Sequence, residues 1–351
     1  MASRPLYTLH PRSLAALFGD LASFASAQTQ VLLGTAGSLL ERENGSGFRF
    51  YARQFYDGEG KKRETYVAGP VGDPSADETA ADLRIRMDEL KAQTADLRML
   101  GREGFHVVDA RTYATLASLH NHGVFRAGGV LVGSHAFGVL LNQLGARAAA
   151  YQTEDIDVAR PRRLAFDPLP AVSFLQMLCD SGTRFLAVPT LDPRQPATSF
   201  APPGRARFHV DLLAPSAGDA VTTVEVPELR AHATGLPYLR YLLGESTLTP
   251  VLARVGCCMV RVPAAERFAV HKLLTSQLRV NRDAKSGKDI LQASVLLAVL
   301  AEHHPGAIEA ALERVPQSAR RRLRAAAALA RPLLEAAHPR AWEVLEAPWA
   351  G

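Results

Sequence analysis

The stretch that decides the fold is GGVLVGSHAFGVLLNQLGARAAAYQTEDID, residues 128–157. It starts with a short run of β-branched and leucine side chains, which ends at a Gly-Ser pair formed by Gly133 and Ser134. Behind this pair, apolar residues recur at helical spacing. The pattern predicts a strand, a tight turn and a helix, with Ser134 as the N-cap residue of that helix.

The Gly-Ser turn has two interpretations. Glycine lets the backbone approach a ligand closely, and the N-terminus of a helix offers unpaired amide groups to a phosphate. A Gly-Ser pair in front of a helix is also an ordinary capped turn. The turn alone does not separate a phosphate-binding function from a purely structural one.

Acidic residues follow on two segments with alternating polarity. In TEDIDVA, residues 153–159, a single isoleucine separates Asp155 from Asp157, so in a strand both carboxylates project from one face. In RFHVDLL, residues 207–213, Asp211 lies on the polar face of a second strand. Like charges repel unless a cation offsets them, and Mg²⁺ prefers oxygen ligands. The pattern favours a metal site, and acids that merely end strands at the surface are the alternative.

The order of these segments resembles the DNA polymerase beta-like nucleotidyltransferase superfamily. Within it, VLVGSHAF, TEDIDVA and FAVHKLL resemble a bacterial nucleotidyltransferase-domain group in which such segments recur. The likeness covers residues 124–292 and implies an α+β fold whose core is a mixed sheet with helices. It also implies transfer of a nucleoside monophosphate from an NTP to an acceptor hydroxyl, with release of pyrophosphate. The interval between Ser134 and Asp155 is long, which predicts an extra turn at residues 146–151.

The resemblance gives the acids two roles, as catalytic residues and as metal ligands. The residues concerned are Asp155, Asp157 and Asp211. It implies Mg²⁺ as the cofactor, with two bound ions and with Mn²⁺ as an alternative. Asp211 is further expected to help activate the acceptor hydroxyl.

Nucleotide-binding residues are expected in two places. Gly133 and Ser134 would cradle the β and γ phosphates. Farther along the chain, helical spacing places Lys272 and Arg279 on one face, from which both would reach the triphosphate. The alternative for this second pair is a solvated basic face.

The segment at residues 48–66 predicts a β-hairpin around Asp57 and Gly58, with aromatic side chains interleaved with basic ones. Such a surface could stack on bases and contact phosphates, which makes nucleic acid a candidate partner. The alternative is a small sheet whose aromatic residues pack inward, because aromatic residues are favoured in strands anyway.

The 351 residues, of which 47% are hydrophobic, suffice for more than one domain. The segment from Gly69 to Asp77 has the composition of a linker. We predict an N-terminal helix and β-hairpin module at 1–72, a helical connector at 73–125, a nucleotidyltransferase core at 126–262 and a helical C-terminal region at 263–351. Within the core, further strands at 221–226, 238–243, 251–255 and 258–262 are expected to extend the sheet.

Other features narrow the function class. The first residues lack a secretory pattern and the apolar runs are short, so a cytoplasmic protein without a membrane span is expected. The three cysteines have no zinc-site spacing. The acceptor is left open between RNA, protein and a small molecule. An RNA-directed, toxin-like transferase and a non-catalytic nucleotide-binding module remain the alternatives to a general nucleotidyltransferase.

Overall fold

A computed structural model describes residues 4–149, 153–190, 192, 194–204, 207–218, 220–278 and 283–347. The strands are β1 (Tyr7–Leu9), β2 (Ser38–Glu43), β3 (Arg49–Tyr56), β4 (Lys62–Ala68), β5 (Val130–Val132), β6 (Ala146–Ala148), β7 (Asp155–Ala159), β8 (Leu186–Ala187), β9 (Ser199–Ala201), β10 (His209–Pro215), β11 (Thr222–Val226), β12 (Ala231–Leu236), β13 (Ser246–Ala253) and β14 (Gly256–Pro263). The helices are α1 (Arg12–Ala27), α2 (Pro74–Arg102), α3 (Ala110–Asn121), α4 (Gly133–Gln143), α5 (Phe174–Cys179), α6 (Leu239–Leu242), α7 (Ala265–Ser276), α8 (Asp283–His303), α9 (Ala307–Glu313), α10 (Gln317–Leu334) and α11 (Pro339–Glu346). None of the helices within these ranges combines the length and the apolar composition that crossing a bilayer requires.

The largest sheet is mixed. Its strands follow the order β11-β12-β10-β7-β5, and β9 joins the edge of β10 beside β12. Strand β10 runs parallel to β7 and to β12, whereas β5 runs antiparallel to β7. Together with the surrounding helices, this mixed sheet confirms the predicted α+β class.

The two acid-bearing strands have the alternation that the sequence predicts. Ile156 and Val158 of β7 are buried, as are Val210 and Leu212 of β10. The intervening polar residues therefore lie on the opposite face of the sheet. Because apolar side chains anchor both strands from the core side, the orientation of that polar face is fixed.

Three secondary-structure predictions for the core are wrong in part. The strand expected at 238–243 is the short helix α6, which follows Tyr238 in a left-handed conformation. Strands β13 and β14 form a separate two-stranded sheet instead of extending the main sheet, and Ala253 of β13 also bridges to Val108. Residues 146–148 form β6, which pairs with β1 at the N-terminus. Periodicity reports which residues are buried but not which strand a segment pairs with, which explains these differences.

The N-terminal region shares the core of the rest of the chain. The main cluster of buried apolar residues extends from Tyr7 to Leu345. A second cluster joins Leu21 of α1 and Leu97 of α2 to Leu252 of β13. Strands β2, β3 and β4 form the predicted hairpin sheet, with β2 as an added third strand. Both clusters contain residues from more than one of the predicted domains. The domain boundaries themselves remain a prediction.

Helices α7 and α8 are joined by an ion pair between buried side chains. The Lys272 ammonium donates to Asp289 Oδ1 at 2.7 Å, and it lies 5.4 Å from the centre of the Phe268 ring. Side-chain exposure is 9% for Lys272 and 2% for Asp289. A charge that is so enclosed needs a partner of opposite sign, so this pair sets how the two helices pack.

We expect Lys272→Met and Asp289→Leu each to lower the free energy of unfolding by roughly 3–5 kcal/mol, because each leaves one buried charge without its main partner. The double variant should lose much less than the sum of the two, since it removes both charges. Urea denaturation of the four proteins measures this coupling. Additive losses would contradict the assignment.

Candidate active site

The central feature of the site is the register between β7 and β10. In this parallel pair, Asp155 lies opposite His209 and Asp157 lies opposite Asp211. Asp155 is exposed, whereas Asp157 and Asp211 are partly buried. The two strands therefore bring three carboxylates from separate parts of the chain to one face of the sheet.

The Gly133 turn touches one of these carboxylates. Strand β5 pairs with β7 so that Val132 lies opposite Asp157, and Gly133 follows with a φ of +69°. A Cβ added at Gly133 would overlap Asp157 Oδ2. The position needs glycine for two reasons, its left-handed backbone and the carboxylate that lies against its Cα.

The predicted capping role of Ser134 is wrong. Helix α4 begins at Gly133, its N-cap residue is Val132, and the cap makes no side-chain hydrogen bond. Ser134 is the second residue of the helix, because the Gly133 backbone already turns the chain. Among the described residues, the Ser134 hydroxyl has no hydrogen-bond partner, so the hydroxyl and the first amide groups of α4 are both available to a ligand.

Asp211 shows the electrostatic cost of gathering these acids. Burial raises the pKa of its carboxyl above the ordinary value. A hydrogen bond from Ser199 opposes the rise, the charge of Asp155 adds to it, and the charges of His209 and Lys285 oppose it. The imidazole of His209 also lies 3.7 Å from Asp155, measured from Nδ1 to Oδ1. The site thus holds excess negative charge that a cation would offset.

One cleft joins the first turn of α4 to the start of β7. Ser134 and Asp155 both line it, and its volume is about 1390 Å³. These two residues therefore face one pocket. Ligand pockets commonly measure about 300–1,000 Å³, so the cleft has room for a nucleotide and for part of an acceptor.

The cation assigned from the sequence lies elsewhere. Lys272 pairs with Asp289 between α7 and α8 and does not line the cleft, so its predicted contact with phosphates is corrected. Arg279, the other residue predicted to contact the triphosphate, lies outside the described residues. Two lysines of α8 replace them: Lys288 lines the cleft, and the charge of Lys285 acts on Asp211. The sequence signal for these lysines is weak, because surface lysines are common on helices.

Two histidines of the cleft were missed by sequence reasoning. His135 follows Ser134 in α4, and His106 precedes α3; their ring centroids are 6.2 Å apart. Burial lowers the pKa of each imidazole to about 4, and in His135 the positive charge of Lys288 contributes to the shift. Both rings are therefore neutral near pH 7. Neither ring nitrogen of His135 has a hydrogen-bond partner among the described residues.

The basic groups at the rim come from distant segments. Arg111 and Arg207 line the cleft, and the Arg111 guanidinium lies 5.5 Å from the centre of the Phe208 ring. The β3–β4 turn reaches the same cleft through Gly58 and Glu59. Tertiary packing alone brings these segments together, so no local sequence motif predicts that they meet at the cleft.

The acids are the residues that could hold a metal. Their oxygen donors suit a hard divalent cation, and their register places the three carboxylates on adjacent strands. Within the described ranges, no group of three or more His, Cys, Asp or Glu side chains is gathered tightly enough to hold an ion as it stands. The donor chemistry fits Mg²⁺, and binding would have to draw the side chains together.

Comparison with known proteins places the chain in a family. The profile of a nucleotidyltransferase family matches residues 110–317, which is more than half of the chain. No curated protein and no solved structure matches the sequence. The matched region contains the Gly133 turn, the three aspartates and the cleft-facing part of α8, and it leaves out the N-terminal hairpin.

The chain belongs to this nucleotidyltransferase family. It is an enzyme of the nucleotidyltransferase class, as the sequence predicted. The alternative of a non-catalytic nucleotide-binding module is disfavoured by this membership. The identity of the donor, the metal and the acceptor goes beyond what family membership states.

We expect Gly133→Ala to lower nucleotidyl transfer about a hundredfold, because the added methyl group displaces the Asp157 carboxylate. Gly128→Ala is the matched control, since Gly128 also has a positive φ but nothing lies within 4 Å of its added Cβ. Steady-state transfer rates and melting temperatures of both variants test this. Equal rate losses would show that backbone strain alone is responsible.

The buried histidines predict a pH dependence of stability. An imidazole with a pKa of about 4 in the folded state and about 6.5 in the unfolded state binds fewer protons when folded. The free energy of unfolding should therefore fall as the pH drops from about 6.5 to 4, by up to about 1.4 kcal/mol per pH unit for each histidine. His135→Gln should reduce this slope in urea titrations carried out over that pH range.

Proposed function

We propose that the protein transfers a nucleoside monophosphate from an NTP to an acceptor hydroxyl and releases pyrophosphate, on a core of the polymerase beta-like type. The observation that carries the proposal is the contact between the Gly133 turn and Asp157, with Asp211 opposite Asp157 on the parallel strand. A phosphate-binding turn and a set of carboxylates in direct contact are what a triphosphate and its metal ions require.

The phosphates are assigned to the N-terminus of α4. The amide groups of Gly133, Ser134 and His135 are in the first turn, where helical geometry leaves them without intrahelical partners. Together with the positive end of the helix dipole, they favour the β and γ phosphates. Because Gly133 has no side chain, a phosphate bound here lies close to Asp157.

The metal ligands are assigned to Asp155, Asp157 and Asp211, with Mg²⁺ as the ion, two sites and Mn²⁺ as an alternative. When bound, such ions neutralise phosphate charge and orient the attacking and leaving oxygens. Asp211 has a second role. Its carboxylate would accept the proton of the acceptor hydroxyl.

Positive charge for the phosphates is assigned to α8. Lys288 lines the cleft, and Lys285 acts on Asp211 from the same helix. Lys272 instead holds α8 against α7 through Asp289, the residue that follows Lys288. Contact between the triphosphate and Arg279 remains a prediction, since that residue lies outside the described ranges.

The proposed reaction is a single displacement at the α phosphorus. The acceptor oxygen forms a bond to this phosphorus while the bond to the bridging oxygen of the β phosphate breaks. The hydroxyl proton passes to the Asp211 carboxylate, and the pyrophosphate takes the bonding electrons. Lys288 lies where it can offset the charge that grows on the leaving group.

We expect Asp155→Asn, Asp157→Asn and Asp211→Asn each to lower transfer by at least about a hundredfold, because metal ligands supply several kcal/mol of transition-state stabilisation. Glu154→Gln is the matched control, since Glu154 is an exposed acid that lines the same cleft. Each labelled NTP is incubated with Mg²⁺ and a cell extract as the source of acceptor, and labelled products and pyrophosphate are measured.

Two outcomes would refute the proposal. One is full activity of the aspartate variants, which would move the chemistry elsewhere. The other is transfer by the wild-type protein in excess EDTA, which would remove the divalent ion from the mechanism. A loss of activity in Glu154→Gln as large as in the aspartate variants would show only that the cleft tolerates no change of charge.

A further inference from the structure

Three arginines converge on a second depression outside the cleft. Arg98, Arg102 and Arg254 line it together with Gly101, and its volume is about 330 Å³. All three side chains are exposed. Arg98 and Arg102 lie one turn apart at the end of α2, whereas Arg254 comes from the tight turn between β13 and β14.

The fold holds these side chains together through apolar contacts beneath them. Leu97 and Leu100, on the buried side of α2, belong to the same cluster as Leu252 and Cys257 of the β13–β14 hairpin. The packing fixes the end of α2 against the hairpin. The juxtaposition of the arginines is thus a property of the core and not a chance meeting of flexible side chains.

Their charges are not compensated within the protein. Arg98, Arg102 and Arg254 form no ion pair, hydrogen bond or ring contact with any residue in the described part of the chain. Like charges at i and i+4 on a helix destabilise it slightly. The C-terminal end of the α2 dipole favours Arg102, but this does not account for Arg98 or Arg254. An anion bound among the three would offset their repulsion.

The predicted nucleic-acid surface differs in this respect. Four basic residues of the hairpin sheet are paired with acids, in Arg42–Glu64, Arg49–Glu41, Lys61–Glu59 and Arg63–Asp57. Its aromatic residues Phe48, Tyr56 and Tyr66 are exposed, but little cationic charge remains to hold a phosphate backbone. The three arginines are therefore a better candidate surface for a phosphate backbone than the hairpin sheet is.

We propose that Arg98, Arg102 and Arg254 bind the phosphate backbone of a nucleic acid. Guanidinium groups match phosphate oxygens with two parallel hydrogen bonds, which lysine cannot do. An ion pair between an exposed arginine and one small anion is weak, because water and salt screen the charges. Several phosphates on one strand add their contacts, so a polyanion is the ligand that an open cluster of this kind retains.

The position of the cluster connects it to the cleft. Gly101 lines the arginine pocket, and Gly104 to His106, which begin three residues later, line the cleft that Asp155 also lines. One short segment of the chain therefore joins the arginine pocket to the cleft. The binding site goes beyond the proposed function, because it acts without NTP, metal or transfer.

The test is the affinity for a fluorescent single-stranded RNA oligonucleotide, measured by anisotropy over a range of salt concentrations without NTP or Mg²⁺. The variant Arg98→Gln/Arg102→Gln/Arg254→Gln should bind more weakly, and the slope of log K against log salt should fall in magnitude by about 2. The matched control, Arg240→Gln/Arg321→Gln/Arg340→Gln, removes equal charge at exposed positions and should keep the wild-type slope.

Three results would overturn the proposal. These are no RNA binding by the wild-type protein, an equal loss in both triple variants, and an unchanged RNA affinity in the first variant. Calorimetry with inorganic phosphate distinguishes a site for small anions from a site for nucleic acid. If the arginines bind only small anions, the first triple variant loses phosphate binding and keeps RNA binding. Melting temperatures confirm that both variants fold. None of these measurements depends on nucleotidyl transfer.

Discussion

The parallel pairing of β7 with β10 is the constraint on which the site depends, because it places Asp157 beside Asp211 from segments more than fifty residues apart. Like charges so arranged are unfavourable. The pKa of Asp211 is raised mainly by burial, and the charge of Asp155 adds to the rise. The strands tolerate it because Ile156, Val158 and their counterparts on β10 are buried on the other face. Hydrophobic burial thus holds a charged arrangement that would not form by itself.

A second buried contact helps to place the positively charged side chains of α8 near this site. The pair between Lys272 and Asp289 determines how α8 lies against α7, and α8 carries Lys285 and Lys288 towards the acids. A lysine that was predicted to bind phosphate is therefore a structural residue, and Lys288 on the next helix lines the cleft. Buried ion pairs of this type add little net stability, but they are costly to break, which makes the packing specific.

Charge elsewhere on the surface is distributed unevenly. Several basic residues of the hairpin sheet are paired with acids of the same sheet or of its turn. The arginines at the end of α2 have no such partners within the described residues. Net charge and composition do not distinguish these two surfaces, because both are rich in basic residues. The distinction depends on which acids lie across from them.

By itself, the sequence determined the elements whose evidence is local. The strand, glycine turn and helix from Val130, the Asp-x-Asp strand and the apolar alternation around Asp211 all follow from spacing and side-chain chemistry. The family resemblance rested on these same segments. The glycine turn and the two acid-bearing strands are short contiguous motifs. For that reason the sequence alone could indicate an α+β nucleotidyltransferase.

Tertiary structure alone decided the properties that depend on pairing across the chain. Examples are the capping of α4 by its backbone instead of Ser134, the burial of Lys272 against Asp289, and the entry of His106 and His135 into the cleft. The physical reason is that periodicity tells which face of an element is buried but not what covers it. The partner, and with it the role of a charged side chain, is set by the packing of distant segments.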